Sequence, residues 1–330
     1  MTLSRSVPTL SLLALFLLGA CRKNEPASPA PAPTPSPAPQ SQKTVDPVAE
    51  ARRAFQTQLK DAPTDHEPAP PPPPGVFEKV MYPAPLGNNV AYVTPVREGP
   101  RRSAVLWIQG GFNWGIDASA WEARPRSNDQ SARAFREAGL VMMMPALRGC
   151  SGNPGSREYF LGEVDDVLAA LEFLARRPDV DPERIYLGGH STGGTMALLA
   201  AASGPRVRGV FAFGPVAVSY YGETGTALDR AEGKELAIRS PVVFMEYIRV
   251  PTLILEGEKG NTFAFDELRE ASKDAPVRFV AVPGGTHFNI LAPLTELLAQ
   301  RIARNNPAEP PTSLSEQDAV RAMRAEATAH

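Results

Sequence analysis

Charge of one sign, histidine, cysteine and long apolar runs are all scarce in this 330-residue chain. Lysine and arginine number 34 against 36 acidic residues, a formal net charge of -2, with both signs mixed along the globular part. There is no basic stripe to mark a nucleic-acid face and no long acidic block. No metal-ligand spacing, Walker loop or dinucleotide fingerprint occurs, so neither a metal nor a cofactor is expected. No internal repeat is found. The two cysteines, Cys21 and Cys150, do not read as a structural pair, for a reason taken up below. Four histidines leave few candidates for moving a proton near neutral pH.

What is present begins with a leader. Arg5 gives Met1 to Cys21 a positive start, and Leu10 to Leu18 is apolar but too short to span a bilayer as a mature helix. It closes in Leu18-Gly19-Ala20-Cys21, which resembles the lipobox of bacterial lipoproteins. That resemblance implies cleavage before Cys21 and acylation of its thiol, hence a membrane anchor in the bacterial cell envelope. Arg22, standing where inner-membrane lipoproteins often carry aspartate, favours the outer membrane over the inner. With Cys21 acylated, Cys150 has no partner, and no internal disulfide is expected.

Residues 22–75 read as a disordered Pro/Ala-rich linker holding fifteen of the 35 prolines. Extended, such a segment reaches on the order of 100 Å. Val48, Phe55 and Leu59 lie at helical spacing inside it and suggest a transient helix, while His66 is discounted as catalytic by its place in the linker.

From residue 76 to 305 strands and helices alternate, which predicts an α/β domain with a mainly parallel central sheet and helices on both faces. Strands are expected at Val90 to Thr94, Ala104 to Ile108, Leu140 to Met144, Ile185 to Leu187, Val210 to Phe213, Pro251 to Glu256 and Val277 to Val282. Helices are expected at Asp129 to Ala138, Val164 to Ala175, Thr195 to Ala202 and Ile290 to Ala303. The irregular stretch from Val216 to Arg249 is long enough for a small lid. Residues 306–330 form a tail whose helix, Ser315 to Ala327, opens on a Ser315/Asp318 capping box and docks through Leu314, Val320 and Met323.

Between an expected strand and an expected helix lies Gly189-His190-Ser191-Thr192-Gly193, a G-x-S-x-G sequence. In that context it reads as a nucleophile elbow, a turn sharp enough to strain the serine backbone and lift its hydroxyl above the sheet. Gly189 and Gly193 must be small so that neighbouring backbone can approach.

This elbow, the Gly110-Gly111 loop after an earlier strand, and a late strand followed by histidine resemble the α/β-hydrolase superfamily. Arg148-Gly149 after a strand, Glu163-Val164-Asp165-Asp166 at a helix start, and the run Gly189 to Gly194 look most like the catalytic domain of the prolyl oligopeptidase family. The resemblance covers about residues 76–305, and the family's β-propeller has no counterpart in the sequence. It implies a serine hydrolase that cleaves a small ester or a peptide bond through an acyl-enzyme. A carboxylesterase of small esters and a non-catalytic envelope scaffold that keeps the fold are the alternatives.

The resemblance also places the other residues of the site. With Ser191 as nucleophile, the base is His287, in the loop after the last strand; His66 lies in the linker, His190 precedes the nucleophile and His330 ends the chain. The acid follows the penultimate strand, where Leu255-Glu256-Gly257-Glu258-Lys259-Gly260 puts glycine at the usual aspartate position. Glu256 is the first candidate, Glu258 the alternative, and Asp266 a remote third. The oxyanion donors are the amide of Thr192 and that of Gly111 or Phe112. Outside this set, Cys150 reads as a space-filler, Arg148 as pairing with the acidic helix start, and Met142 to Met144 as strand core. Trp114, Trp121, Tyr220 and Tyr221 read as loop aromatics that would rise over the active edge of the sheet.

Overall fold

The computed structural model describes residues 47–58, 64–219 and 233–328. Cys21, the leader, the first half of the linker and the pair Tyr220-Tyr221 therefore lie outside the described residues.

Strands apolar on both faces dictate the architecture. In β3 (Arg102–Ile108) Ala104, Leu106 and Ile108 join one buried cluster, while Val105 and Trp107 join another on the opposite face. The same alternation runs through β5 (Val180–His190), β6 (Gly209–Phe213) and β7 (Thr252–Gly257). Such strands need cover on both sides, which a parallel sheet with flanking helices supplies. With β1 (Glu78–Ala84), β2 (Gly87–Val93), β4 (Val141–Pro145) and β8 (Val277–Val282), they form an eight-stranded sheet in the order β1-β2-β4-β3-β5-β6-β7-β8. β1 with β2 and β2 with β4 are antiparallel; every later neighbour pair is parallel. The sheet is thus mainly parallel, as the resemblance to the α/β-hydrolase fold implies.

Helices α3 (Gly162–Ala175) and α4 (Thr192–Ala202) cover one face, and the short α2 (Ala134–Glu137), α7 (Leu291–Arg304) and α8 (Glu316–Thr328) the other. Helix α4 is apolar all round and buried from Gly193 to Ala202, so it runs through the core rather than along the surface. Helices α5 (Gly233–Arg239) and α6 (Ala264–Ala271) were not expected; the second lays Phe265 and Leu268 into the α4-side cluster.

Three expectations change. The helix expected at Asp129 to Ala138 keeps only Ala134–Glu137, because the Asp129 carboxylate accepts the amide and hydroxyl of Ser131 and Ala132 turns left-handed at φ 47°. Strand β1 carries no sequence signal, because it is an edge strand on which Tyr82 alone is fully buried.

The linker, third, is not disordered throughout: helix α1 (Pro47–Ala54) buries Val48, Ala49 and Arg52. Further along, Asp65 exchanges backbone hydrogen bonds with Gly149 and Gly152, and the Pro70 carbonyl accepts from the Tyr92 hydroxyl at 2.6 Å. Apolar residues on one helical face and carbonyls that proline leaves available give this stretch partners on the domain.

The tail helix does carry its capping box. Asp318 accepts the Ser315 amide at 2.9 Å and the Ser315 hydroxyl accepts the Asp318 amide at 3.2 Å. Buried Leu314 and Ala319, and Arg126 held between Glu296 and Glu326, fix α8 on the α7 face. No helix among the described residues is long and apolar enough to cross a membrane.

Candidate active site

The elbow joins β5 to α4 at the carboxyl edge of the sheet, where clefts of open α/β folds form. Ser191 takes φ 55°, ψ -117°, a strained backbone for a residue with a side chain. The turn closes because its flanks are bare: a Cβ on Gly189 would run into the Gly193 carbonyl, and one on Gly193 into that of Ile108. The Ser191 amide donates to the Phe213 carbonyl at 2.7 Å, tying the elbow to β6. Among the described residues its hydroxyl has no hydrogen-bond partner, His287 included; such contacts commonly tighten only when substrate is bound.

His287 stands beside the elbow, its ring centroid 4.5 Å from that of His190. Its Nδ1 lies 2.8 Å from Glu256 Oε2. The Glu256 side chain is fully buried at the end of β7 and also accepts the amides of Gly257 at 2.7 Å and Asn261 at 2.9 Å. Three donors compensate a carboxylate that would otherwise be costly to bury. Gly260 explains how a strand-end glutamate reaches this place. A Cβ there would meet the Glu256 carboxylate, so the space a loop aspartate would fill is taken from the strand side.

The other acids face elsewhere. Glu258 accepts the Gly284 amide at 3.0 Å and braces the turn before His287, and Asp266 is an exposed partner of Arg269 in α6.

Gly111 is left-handed at φ 95°, and its carbonyl accepts the Thr192 hydroxyl, which locks the loop of Gly110 to Phe112 to the elbow. The amides of Gly111, Phe112 and Thr192 have no acceptor among the described residues, as donors awaiting an oxyanion require. Gln130 Oε1 lies 3.1 Å from both the Gly110 amide and His190 Nδ1, while His190 Nε2 donates to the His287 carbonyl at 2.9 Å. His190 thus bridges Gln130, which holds the Gly110 amide, to the backbone of the His287 loop. Burial first, then His287, pushes the pKa of His190 down to about 3.

Ser191 and Thr192 open onto a cavity of about 270 Å³ walled by Phe112, Phe160, Val216 and Phe263. Apart from the Ser191 hydroxyl, polar groups of its lining donate internally: Thr195 Oγ1 to the Ser191 carbonyl, Ser219 Oγ to that of Arg239 and Asn261 Nδ2 to that of Gly214. No charged side chain lines it among the described residues. Phe160, Val216 and Phe263 carry no sequence signal, since nothing in their spacing links them to the elbow. Of the expected loop aromatics, Trp114 is buried behind Phe112 and Phe160, and Trp121 sits edge-on to Tyr92. Arg148 does pair with the helix start, forking onto Asp166 through Nε at 3.0 Å and Nη2 at 2.9 Å. Cys150 is a buried filler whose thiol pKa burial pushes up to about 12. No group of histidines, cysteines and carboxylates able to hold a metal occurs among the described residues.

Residues 127–289 match the model of the prolyl oligopeptidase family. An uncharacterized peptidase of Bacillus subtilis, YtmA, is 28% identical over 167 residues, which cover 47% of this chain and 62% of that protein. A puromycin-hydrolysing peptidase of Mycobacterium tuberculosis superposes with a TM-score of 0.53 at 18% identity, over 70% of this chain and 38% of its own. An esterase of Pyrobaculum calidifontis superposes with a TM-score of 0.52 at 18% identity, over 69% of this chain and 85% of its own. The chain therefore spans less than two thirds of both peptidases.

Proposed function

We propose that this chain, a serine hydrolase with the α/β-hydrolase fold, cleaves esters or amides of uncharged, mainly apolar acyl groups through an acyl-enzyme on Ser191. His287 takes the Ser191 proton and returns it to the leaving group, while Glu256 orients the ring through Nδ1 and stabilises the imidazolium. The amides of Thr192 and of Gly111 or Phe112 receive the oxyanion, and water then attacks the acyl-enzyme with His287 again as base. The observation that carries this reading is the 2.8 Å contact between buried Glu256 and His287 beside a strained serine elbow. The uncharged lining of the adjoining cavity supports the acyl class.

Peptidase activity is supported by the family match and by the names of the two peptidases. A carboxylesterase is the second reading, favoured by the 85% of the Pyrobaculum esterase that the superposition covers. A scaffold role accounts for neither the buried carboxylate–imidazole pair nor the strained serine. We place the enzyme in the bacterial cell envelope, tethered through acylated Cys21 to the outer membrane; the leader sequence supports this.

A fluorophosphonate probe is expected to label the full chain and to leave Ser191→Ala unlabelled. A folded wild-type protein that takes no label overturns the hydrolase mechanism. Comparing p-nitrophenyl esters with aminoacyl anilides separates the two readings: turnover of esters alone makes it an esterase.

A further inference from the structure

We infer that Arg52, on the segment that precedes the sheet, is a positioning residue that fixes the Phe160 wall of the acyl pocket and so sets the acyl size accepted. The inference rests on the acyl-enzyme reading above.

The wall is a strained loop. Tyr159 and Phe160 are both left-handed, at φ 51° and 73°, in a chain segment without glycine at those positions. Two adjacent residues of that kind persist only where their surroundings over-determine them. On one side the Glu163 carboxylate accepts the amides of Glu158 at 2.6 Å and Tyr159 at 3.1 Å. On the other side stands Arg52, 3% exposed, whose Nη2 donates to the carbonyls of Phe160 and Leu161, the latter at 2.9 Å. Its Nη1 donates to the Ile238 carbonyl at 2.5 Å, so one guanidinium clamps the wall loop to α5.

The same segment grips α5 a second time. Thr57 Oγ1 and the Gln58 amide donate to Glu235, whose carboxylate also pairs with buried Arg239. Arg239 in turn donates to the Glu158 carbonyl at 2.8 Å, and its own carbonyl accepts from Ser219 in the pocket lining. The strap thus holds two parts of the pocket, the Phe160 wall and the Ser219 floor, without touching substrate. Lysine cannot replace the fork, since an ammonium presents a point charge where three carbonyls require a planar donor set.

The test compares kcat/KM for p-nitrophenyl octanoate and acetate in the full chain, as wild type, Arg52→Lys, Phe160→Leu and the double variant. Arg52→Lys and Phe160→Leu are each expected to shift the octanoate-to-acetate ratio by about tenfold, the scale at which an apolar pocket discriminates chain length. The double variant is expected to shift it no further, because both changes act through one wall. The inference is overturned if folded Arg52→Lys keeps the ratio within about twofold of wild type, if both esters lose kcat/KM in parallel, or if the two shifts multiply. Arg52→Met is measured alongside. Should neither Arg52 variant fold and take a fluorophosphonate label, the residue serves folding alone and the inference is overturned. An unlabelled wild type would sink the hydrolase reading itself, whereas a labelled one with an unmoved ratio sinks only the role of Arg52.

Discussion

At residue scale the feature that most needs explaining is a carboxylate that arrives from the strand end. Position 260 is glycine, but its φ is not left-handed, so its backbone conformation would tolerate a side chain. A Cβ there points at the Glu256 carboxylate. One volume beside His287 can thus be filled from 256 or from 260, but not from both. Glu256→Gln is expected to lower kcat by about 10³- to 10⁴-fold, as loss of a triad carboxylate does. Glu258→Gln, which loosens only the Gly284 turn, is expected to cost about tenfold or less. Glu256→Gly combined with Gly260→Asp is expected to recover at least about tenfold of the loss. Steady-state rates on one ester decide all three, and equal mild losses at 256 and 258 would remove Glu256 from the triad.

At the scale of elements, Arg148 ties the start of the connection from β4 to the helix that follows it. Arg148 leaves β4, forks onto Asp166 in the first turns of α3, and reaches Glu158 of the wall loop at 3.2 Å. Its backbone amide donates to the same Asp166 at 2.8 Å. Replacing Arg148 by Met leaves the fully buried Asp166 carboxylate without its cation, and urea unfolding is expected to show a loss of about 3–5 kcal/mol. A loss below about 1 kcal/mol, the range of exposed ion pairs, would mean that the fork is ornamental. Elements with a clean period were legible in the sequence: β3, β4, β6, β7 and β8 lie within a residue or two of their expected bounds. Two elements depart from the pattern for local reasons. Asp129 and Ser131 spent on a turn what a helix needed, and β1 has too little buried side chain to show a pattern.

For the whole molecule, two buried groups oppose each other in pH. His190 in the fold takes a proton only near pH 3, whereas an unfolded histidine takes one below about 6.5. As pH falls through 6.5 the unfolded chain gains a proton that the native one refuses, and stability drops by about 2 kcal/mol at pH 5. Glu163 acts the other way. Burial pushes its pKa up to about 7, so the native state holds a proton that the unfolded chain sheds above about 4.5. That contribution is present in acid and lost as pH rises towards 7. Unfolding by urea at pH 7 and pH 5 is expected to show wild type losing about 2 kcal/mol relative to His190→Gln over that interval. Relative to Glu163→Gln, wild type is expected to gain on acidification. Stability differences that do not change with pH would contradict both assignments.

The sequence by itself determined what local chemistry can specify. A glycine-flanked serine between an apolar strand and an apolar helix makes an elbow, alternating apolar runs make a doubly covered parallel sheet, and elimination among four histidines selects His287. Only the tertiary structure decided what depends on distant segments meeting in space. It chose Glu256 over Glu258 as the partner of His287, built the cavity wall from Phe160 and Phe263, and turned part of a proline-rich linker into a strap gripping that wall through Arg52. The physical reason is range: backbone sterics and hydrophobic period act over a few residues, whereas the burial of a carboxylate or a guanidinium is settled by donors and acceptors tens to hundreds of residues away.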